Sequence, residues 1–86
     1  MWKIELSKSA DKFVRRERIK DTEIGLFIEK FINYSKGLDE NIDVKKINGK
    51  EYHRIKIGKI RMILKVDFKE QLVFMDRIDY RGSIYK

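Results

Sequence analysis

Basic side chains recur at alternate positions along the second half of the sequence. Alternate positions of an extended strand point to the same side, so these cations share one surface wherever the segments are strands. Guanidinium and ammonium groups bind phosphate oxygens, and neighbouring tyrosine rings give surfaces on which unpaired bases stack. The pattern predicts a polyanion-binding face formed by Arg54, Lys56, Arg61, Lys65, Arg77 and Arg81, with Tyr52, Tyr80 and Tyr85 near it.

The distribution of charge supports a polyanion as the partner. The chain carries a formal net charge of +7. Residues 1–43 contain nine Lys/Arg and nine Asp/Glu, whereas residues 44–86 contain twelve Lys/Arg and five Asp/Glu. All of the excess positive charge therefore falls in the half with the alternating cations, which is typical of a surface that faces a polyanion. An anionic lipid or an acidic protein is the alternative partner.

Other kinds of catalytic site have little support in the sequence. There is no cysteine, so neither a disulfide framework nor a thiolate nucleophile is available. The single histidine, His53, is in phase with Ile55, which favours a packed residue over a catalyst. The carboxylates are too scattered for an acid/base pair or a metal site, so we expect no metal and no cofactor. Asp76 and Asp79 are expected to balance neighbouring arginines.

Length and composition set the overall plan. With 86 residues and 42% hydrophobic composition, the chain predicts one domain, residues 1–86, around a single core. No apolar run approaches the roughly 20 residues that a membrane-spanning helix needs. Nothing at the start resembles a secretion signal, so we expect a cytoplasmic protein.

The first half of the sequence predicts one strand and two helices. Apolar residues alternate with charged ones at the start, which predicts a strand with one buried side, formed by Trp2, Ile4 and Leu6. A cap at Ser7 or Ser9 then begins a short helix, whose apolar positions are Ala10, Phe13 and Val14. A second helix ends near Gly37 and carries one apolar stripe, which comprises Ile24, Phe27, Ile28, Phe31 and Ile32.

The second half predicts three more strands, near residues 52–57, 60–66 and 71–78. Turn-forming residues bound these segments at Asn48 and Gly49, at Gly58 and Lys59, and at 67–70. The order of elements is β-α-α-β-β-β. We therefore predict an α+β fold in which two helices pack on one face of a four-stranded, mainly antiparallel sheet and leave the other face open.

Alternation also assigns sides to the residues of these strands. In the last two strands we assign the even positions to the core, namely Ile60, Met62, Leu64, Val66, Leu72, Phe74 and Ile78. The odd positions are then expected to face outward, including Ile63, Val73 and Met75 beside the cations. In the preceding strand the phase inverts, so Ile55 and Ile57 face the core while Tyr52, Arg54 and Lys56 face outward.

Two segments of this basic region resemble the RelE/ParE toxins. Residues 52–61 read YHRIKIGKIR, which is similar to the run Y-x-[RK]-[IL]-[RK]-x-G-x-[YI]-R of that family. Residues 79–85 read DYRGSIY, which is similar to its closing pattern x-H-R-x-x-[IV]-Y. Segment 7–14 and the order of elements also agree, so the resemblance covers essentially the whole chain. It implies a RelE-like toxin of a type II toxin–antitoxin system.

The RelE branch of the family implies a ribosome-dependent mRNA endonuclease. In that branch the toxin enters the ribosomal A site, and the 2′-hydroxyl of the mRNA attacks the adjacent phosphate without a metal. The positions of this chain that match the motifs are Arg54, Lys56, Arg61, Arg81 and Tyr85. The resemblance thus implies that these five residues form the catalytic set.

The chemistry of this cleavage gives each match a role. Negative charge develops on the equatorial oxygens of the phosphorane, and Arg61 and Arg54 are the candidate clamps for it. Lys56 is the candidate base, because lysine can lose its proton when crowded by other cations and arginine cannot. Arg81 is assigned to the leaving 5′ oxygen and Tyr85 to stacking on a base near the cut. The residues expected to bind RNA around this set are Tyr52, Lys65, Arg77 and Tyr80.

The resemblance leaves two other functions open. Tyr80 stands where many of these toxins have histidine, so an imidazole acid/base is missing at that position. A ParE-like inhibitor of DNA gyrase would bind its target without cleavage, and a degenerate member would only bind its antitoxin. The retained basic set favours the nuclease, because a gyrase inhibitor has no catalytic need of it. An antitoxin protein is the expected partner in every case, and the ribosome and mRNA are further partners of a nuclease.

Overall fold

The computed structural model describes residues 2–38, 41–47 and 52–80. Within them the chain forms two helices and five strands, in an α+β arrangement. The elements in chain order are β1 (Lys3–Leu6), α1 (Lys8–Arg16), α2 (Asp21–Ser35), β2 (Asp43–Lys46), β3 (Tyr52–Ile57), β4 (Ile60–Asp67) and β5 (Leu72–Tyr80). The predicted helices and the four predicted strands are all present, and Asn48 and Gly49 lie outside the described residues.

The five strands form one mixed sheet in the order β1-β5-β4-β3-β2. β1 runs parallel to β5, and the other neighbouring pairs are antiparallel. The prediction of four strands is wrong by one, because β2 adds a short edge strand beside β3. Its sequence, DVKK, has one apolar residue among charged ones, so neither burial nor β-propensity marks it as a strand.

Both helices pack on one face of the sheet, which we call the inner face. Phe13 and Val14 of α1 and Phe31 and Ile32 of α2 are buried there against the strands. The predicted stripe of α2 is confirmed, with Phe27 only partly buried at its margin. In the described part of the chain, neither helix is long and apolar enough to cross a membrane.

The ends of the helices follow from local chemistry. Ser7 accepts a hydrogen bond from the amide of Ala10 at 3.1 Å and so caps α1, as the sequence predicts. Its hydroxyl also donates to the carbonyl of Asp76 at 2.7 Å, which ties the start of α1 to β5. Gly37 follows the end of α2 with a φ of +82°, a conformation that glycine adopts without strain.

β5 departs from the predicted alternation. Leu72 and Phe74 were assigned to the core, but they lie half-buried on the opposite face, whereas Val73 and Met75 are fully buried in the core. The β4–β5 turn pairs Asp67 with Leu72, so even positions of β4 face odd positions of β5. This parity inverts every side assignment in the first half of β5.

A β-bulge then restores the predicted phase in the second half of β5. Ile63 pairs with Arg77, while the next residue, Leu64, pairs with Met75, so Asp76 is an extra residue in β5. Beyond it, Ile78 is buried and Arg77 is exposed, as expected. One inserted residue therefore separates a segment in which the even-odd rule fails from one in which it holds.

Candidate nucleic-acid interface

The functional candidates lie on the sheet face that points away from the helices, which we call the outer face. The strand pairings align its side chains in rows that cross the strands. The first row consists of Asp43, Lys56, Arg61 and Asp79, the second of Lys45, Arg54, Ile63 and Arg77, and the third of Tyr52, Lys65, Phe74 and Glu5. The face therefore places cations in the first two rows and rings in the third.

The first row has two cations at its centre and a carboxylate at each end. Lys56 of β3 lies directly opposite Arg61 of β4. The ammonium Nζ of Lys56 is 4.0 Å from Oδ2 of Asp43, with side-chain exposures of 20% and 67% respectively. Asp79 of β5 lies opposite Arg61 on the other side. The flanking carboxylates offset the repulsion that two cations feel across neighbouring strands.

The second row contributes three further cations. Lys45 pairs with Arg54, and Arg77 pairs with Ile63 in the same row. Lys45 and Arg77 are exposed, and Arg54 is half-buried. In this row no acidic residue stands among the cations, so it is the part of the face best suited to hold the phosphates of a strand.

The third row combines two rings with one lysine. The ammonium of Lys65 lies 6.0 Å from the centroid of the Tyr52 ring, within range of a cation–π contact. Phe74 follows on the other side of Lys65. A depression of about 350 Å³ lies here, lined by Glu5, Tyr52, Lys65, Val66, Asp67, Leu72 and Phe74.

Most of the predicted site residues meet on this face. The structure brings together Arg54, Lys56, Arg61, Lys65, Arg77 and Tyr52, as the alternation of β3, β4 and the second half of β5 predicts. Arg81 and Tyr85, the other two members of the catalytic set, lie outside the described residues.

Tyr80 is not beside the basic face, and its predicted position is wrong. It pairs with Ile60 on the side of α1, where its ring centroid is 5.2 Å from that of Phe13. Its hydroxyl donates to Oε1 of Glu17 at 2.8 Å. This hydrogen bond lowers the pKa of Glu17 and raises the pKa of Tyr80. The bulge at Asp76 sets the parity that turns Tyr80 toward the helix.

His53 also belongs to the inner side. Its ring centroid lies 5.3 Å from that of Phe31 in α2, in an edge-to-face contact, and the residue is half-buried. The contact confirms the prediction that this histidine packs in phase with Ile55.

The two carboxylates of the first row stand too far apart to act together. Asp43 and Asp79 are separated by two intervening strands, which corresponds to about 14 Å at the usual strand spacing. Among residues 2–38, 41–47 and 52–80, no three His, Cys, Asp or Glu side chains are grouped as metal ligands.

Sequence reasoning missed three residues of the outer face. Asp43 and Lys45 were not recognised, because the strand that carries them is short and mostly charged. Phe74 was assigned to the core, although counting residues through the β4–β5 turn would have moved it to the outer face. The length of the β4–β5 turn therefore predicts the outer position of Phe74, whereas its hydrophobicity alone predicts a core position.

Solved structures with this fold include two toxin–antitoxin complexes and a further toxin. The RelB–RelE antitoxin–toxin complex of Methanococcus jannaschii matches at 28% identity over 94% of both chains, with a TM-score of 0.60. A metal-bound toxin of Helicobacter pylori matches at 16% identity over 98% of this chain and 99% of that one, with a TM-score of 0.58. The RelE–RelB complex of Pyrococcus horikoshii matches at 14% identity over 94% and 96%, with a TM-score of 0.51.

Comparison of sequences adds nothing to this result. No protein-family model and no curated protein matches the chain. The structural matches nevertheless cover nearly the full length of this chain and of each matched chain, and a shared motif alone does not produce such coverage. The fold of this chain is therefore that of the RelE-like toxins.

Proposed function

We propose that this chain is the toxin of a type II toxin–antitoxin pair and that it inhibits translation by cutting mRNA on the ribosome. The observation that carries the proposal is the first two rows of the outer face. They bring Arg54, Lys56 and Arg61, which match the RelE-like motif, onto one open surface of a sheet. The 28% identical structural neighbour is itself half of an antitoxin–toxin complex, which supports the toxin role.

Cleavage by the 2′-hydroxyl requires cations around the reacting phosphate. As the hydroxyl oxygen bonds to phosphorus, charge accumulates on the equatorial oxygens before the bond to the 5′ oxygen breaks. Arg61 and Arg54 come from neighbouring strands and neighbouring rows, so one phosphate placed between them is reached by both guanidinium groups. Fixed donors of this kind stabilise the transition state because they are in place before the reaction begins.

Lys56 is the proposed base for the 2′-hydroxyl proton. It shares the first row with Arg61, and among the basic residues of the two rows only lysines can give up a proton. Arg81 is proposed to stabilise the charge on the 5′ leaving oxygen, which takes its proton from solvent, and Tyr85 is the proposed stacking residue. The roles of these two residues rest on the resemblance of the closing motif.

We infer that an antitoxin covers part of this surface in resting cells. The neighbours from M. jannaschii and P. horikoshii were both solved as complexes with RelB. An acidic or amphipathic segment would neutralise the cationic rows, and a segment that folds on binding can wrap a small domain. The exposed apolar side chains Leu26, Tyr34 and Leu38, along α2 and just beyond it, offer a second contact for such a segment.

The test is to express the chain without its partner and to map new 5′ ends on translated and untranslated mRNA. A nuclease of this class produces new ends only on translated messages, and Arg61→Ala removes them while Lys65→Ala retains them. The same protein is assayed for inhibition of gyrase supercoiling. Inhibited gyrase together with intact mRNA would replace the proposal with the ParE-like function.

A further inference from the structure

Phe74 occupies an unusual place for a phenylalanine. It lies half-buried on the outer face, and the described helices cover only the inner face. Leu72 of the same strand shares this exposure. Apolar side chains on an otherwise polar sheet face mark a surface that another molecule covers. The depression beside Phe74 is therefore a candidate binding site.

The lining of this depression suits a flat ring. Tyr52 and Phe74 stand on either side of Lys65 in the third row, and all three residues line the depression. The volume of about 350 Å³ is at the lower end of the range for small-molecule sites. One nucleobase with its sugar fits such a space, and a folded protein segment with several side chains does not.

The charges around the depression argue against a phosphate inside it. Glu5 and Asp67 contribute two carboxylates to the lining, and Lys65 contributes one ammonium. Arg54 of the second row lies two residues from Tyr52 along β3, or about 6.7 Å, and Arg77 lies three residues from Phe74 across the bulge of β5. That separation is comparable to the span between the phosphate and the base of one nucleotide, so a phosphate on the second row places its base over the third.

We propose that this depression binds an unpaired nucleobase of the RNA strand and that Phe74 is its stacking surface. This inference rests on the proposed function, because it requires RNA as the ligand of the outer face. Phe74 acts on binding alone, since the candidate catalytic cations lie in the other two rows. It fixes which nucleotide of the strand reaches Arg61, and so contributes to the choice of the cleavage position.

The experiment measures equilibrium binding of a fluorescent single-stranded RNA of about eight nucleotides, a length within the usual site size for such proteins. Phe74→Leu keeps an apolar side chain of similar bulk and removes the ring. We expect it to bind roughly 5- to 150-fold more weakly, the range that corresponds to one stacked base. Phe74→Tyr retains the ring and is expected to bind like the unmodified protein. Phe68→Leu is the matched control, because Phe68 is 53% exposed and does not line the depression.

An RNA with abasic positions distinguishes stacking from a general loss of contact. The unmodified protein should lose affinity when the stacked base is removed, and Phe74→Leu should lose little more. Urea unfolding of each variant confirms that the fold is intact.

Two results separate failure of this inference from failure of the proposed function. If Phe74→Leu and Phe68→Leu bind RNA equally well while Arg54→Ala binds weakly, the nucleobase site is wrong and the RNA-binding face remains. If the unmodified protein binds RNA no better than a neutral protein does, the nucleobase site is wrong, and the mapping of 5′ ends on translated mRNA decides the proposed function separately. Loss of antitoxin binding by Phe74→Leu with unchanged RNA binding would assign the depression to a protein partner.

Discussion

Lys56 and Arg61 face each other across β3 and β4 without a carboxylate between them. Such a pair destabilises a sheet by a few tenths of a kcal/mol, and Asp43 and Asp79 at the ends of the row reduce that cost. The row thus places two cations side by side on the open face of the sheet. In the proposed function they are the donors that a phosphate between the two strands would meet, and donors aimed in advance at the reacting group stabilise its transition state.

We predict that Arg61→Ala and Arg81→Ala each abolish toxicity, whereas Lys65→Ala has little effect on the cleavage step. A residue that contacts the reacting phosphate contributes about 10² to 10³ in rate, by analogy with an oxyanion donor. Lys65 stands in the third row and is expected to change mainly affinity and salt dependence. Single-turnover cleavage on programmed ribosomes at saturating toxin isolates the chemical step from binding. Equal, small losses for the three variants would leave only a basic binding face.

The hydrogen bond between Tyr80 and Glu17 gives a second prediction, which concerns stability and pH. The pKa of Glu17 is lowered in the folded state, so the bond contributes stability above the ordinary glutamate range and loses it as the pH falls through the folded value. The pKa of Tyr80 is raised, so on the alkaline side the contribution persists until the pH passes that raised value. Tyr80→Phe is therefore expected to melt at a lower temperature than the unmodified protein at neutral pH.

The Tm of Tyr80→Phe at low pH provides the control for this prediction. The ring of Phe at position 80 keeps the contact with Phe13, so only the hydroxyl is lost. The difference in Tm should shrink as Glu17 becomes protonated. A difference that stays constant from neutral to acid pH would show that the hydroxyl acts through packing and not through the carboxylate.

Among the elements, β5 shows most clearly what alternation can and cannot predict. β3 and β4 are joined by a tight turn at Gly58 and each keeps a regular period of two, so their inward and outward residues follow from the sequence. In β5, turn length and the bulge at Asp76 both change the phase, and neither is encoded in hydrophobicity. Leu72 and Phe74 are as apolar as Val73 and Met75, so composition offers no way to rank them.

The corrected phase of β5 predicts unequal effects of two truncations in that strand. Met75→Ala removes a fully buried side chain and is expected to cost about 2–5 kcal/mol in the free energy of unfolding. Leu72→Ala removes a half-buried side chain on the outer face and should cost distinctly less. Urea unfolding at fixed m-value measures both. A larger loss for Leu72→Ala would restore the assignment made from the even-odd pattern.

Across the whole molecule, the location of the excess charge was predictable and the details of the face were not. Within the described residues, the pairings of β2 to β5 align six cations on the outer face: Lys45, Arg54, Lys56, Arg61, Lys65 and Arg77. The rows also depend on β2. Its pairing with β3 cannot be predicted from its sequence, because the segment is short and mostly charged. Roles within the face came from the resemblance, since charge alone cannot separate a catalytic arginine from a binding one.

For the whole molecule, we predict that expression without an antitoxin stops protein synthesis before DNA synthesis. This prediction rests on the proposed function, in which the cations of the outer face bind translated mRNA and cut it. Pulse labelling with an amino acid and with thymidine gives the order of arrest, and Arg61→Ala serves as the inactive control. Should thymidine incorporation stop first while protein synthesis continues, gyrase becomes the target to pursue.

The parallel pairing of β1 with β5 joins the two ends of the described chain and sets the order in which the fold can be completed. Residues 3–6 pair with residues 72–75, so the first strand cannot join the sheet until the last strand is present. The β3–β4 and β4–β5 hairpins close over short loops, whereas β1 docks only after a long loop has been closed, which makes it a slow step in folding. The cap of α1 depends on the same event, because Ser7 bonds to Asp76. During translation the first strand therefore emerges well before its partner strand exists, and the enzyme that we propose cuts mRNA on the ribosome can fold completely only after synthesis has passed β5.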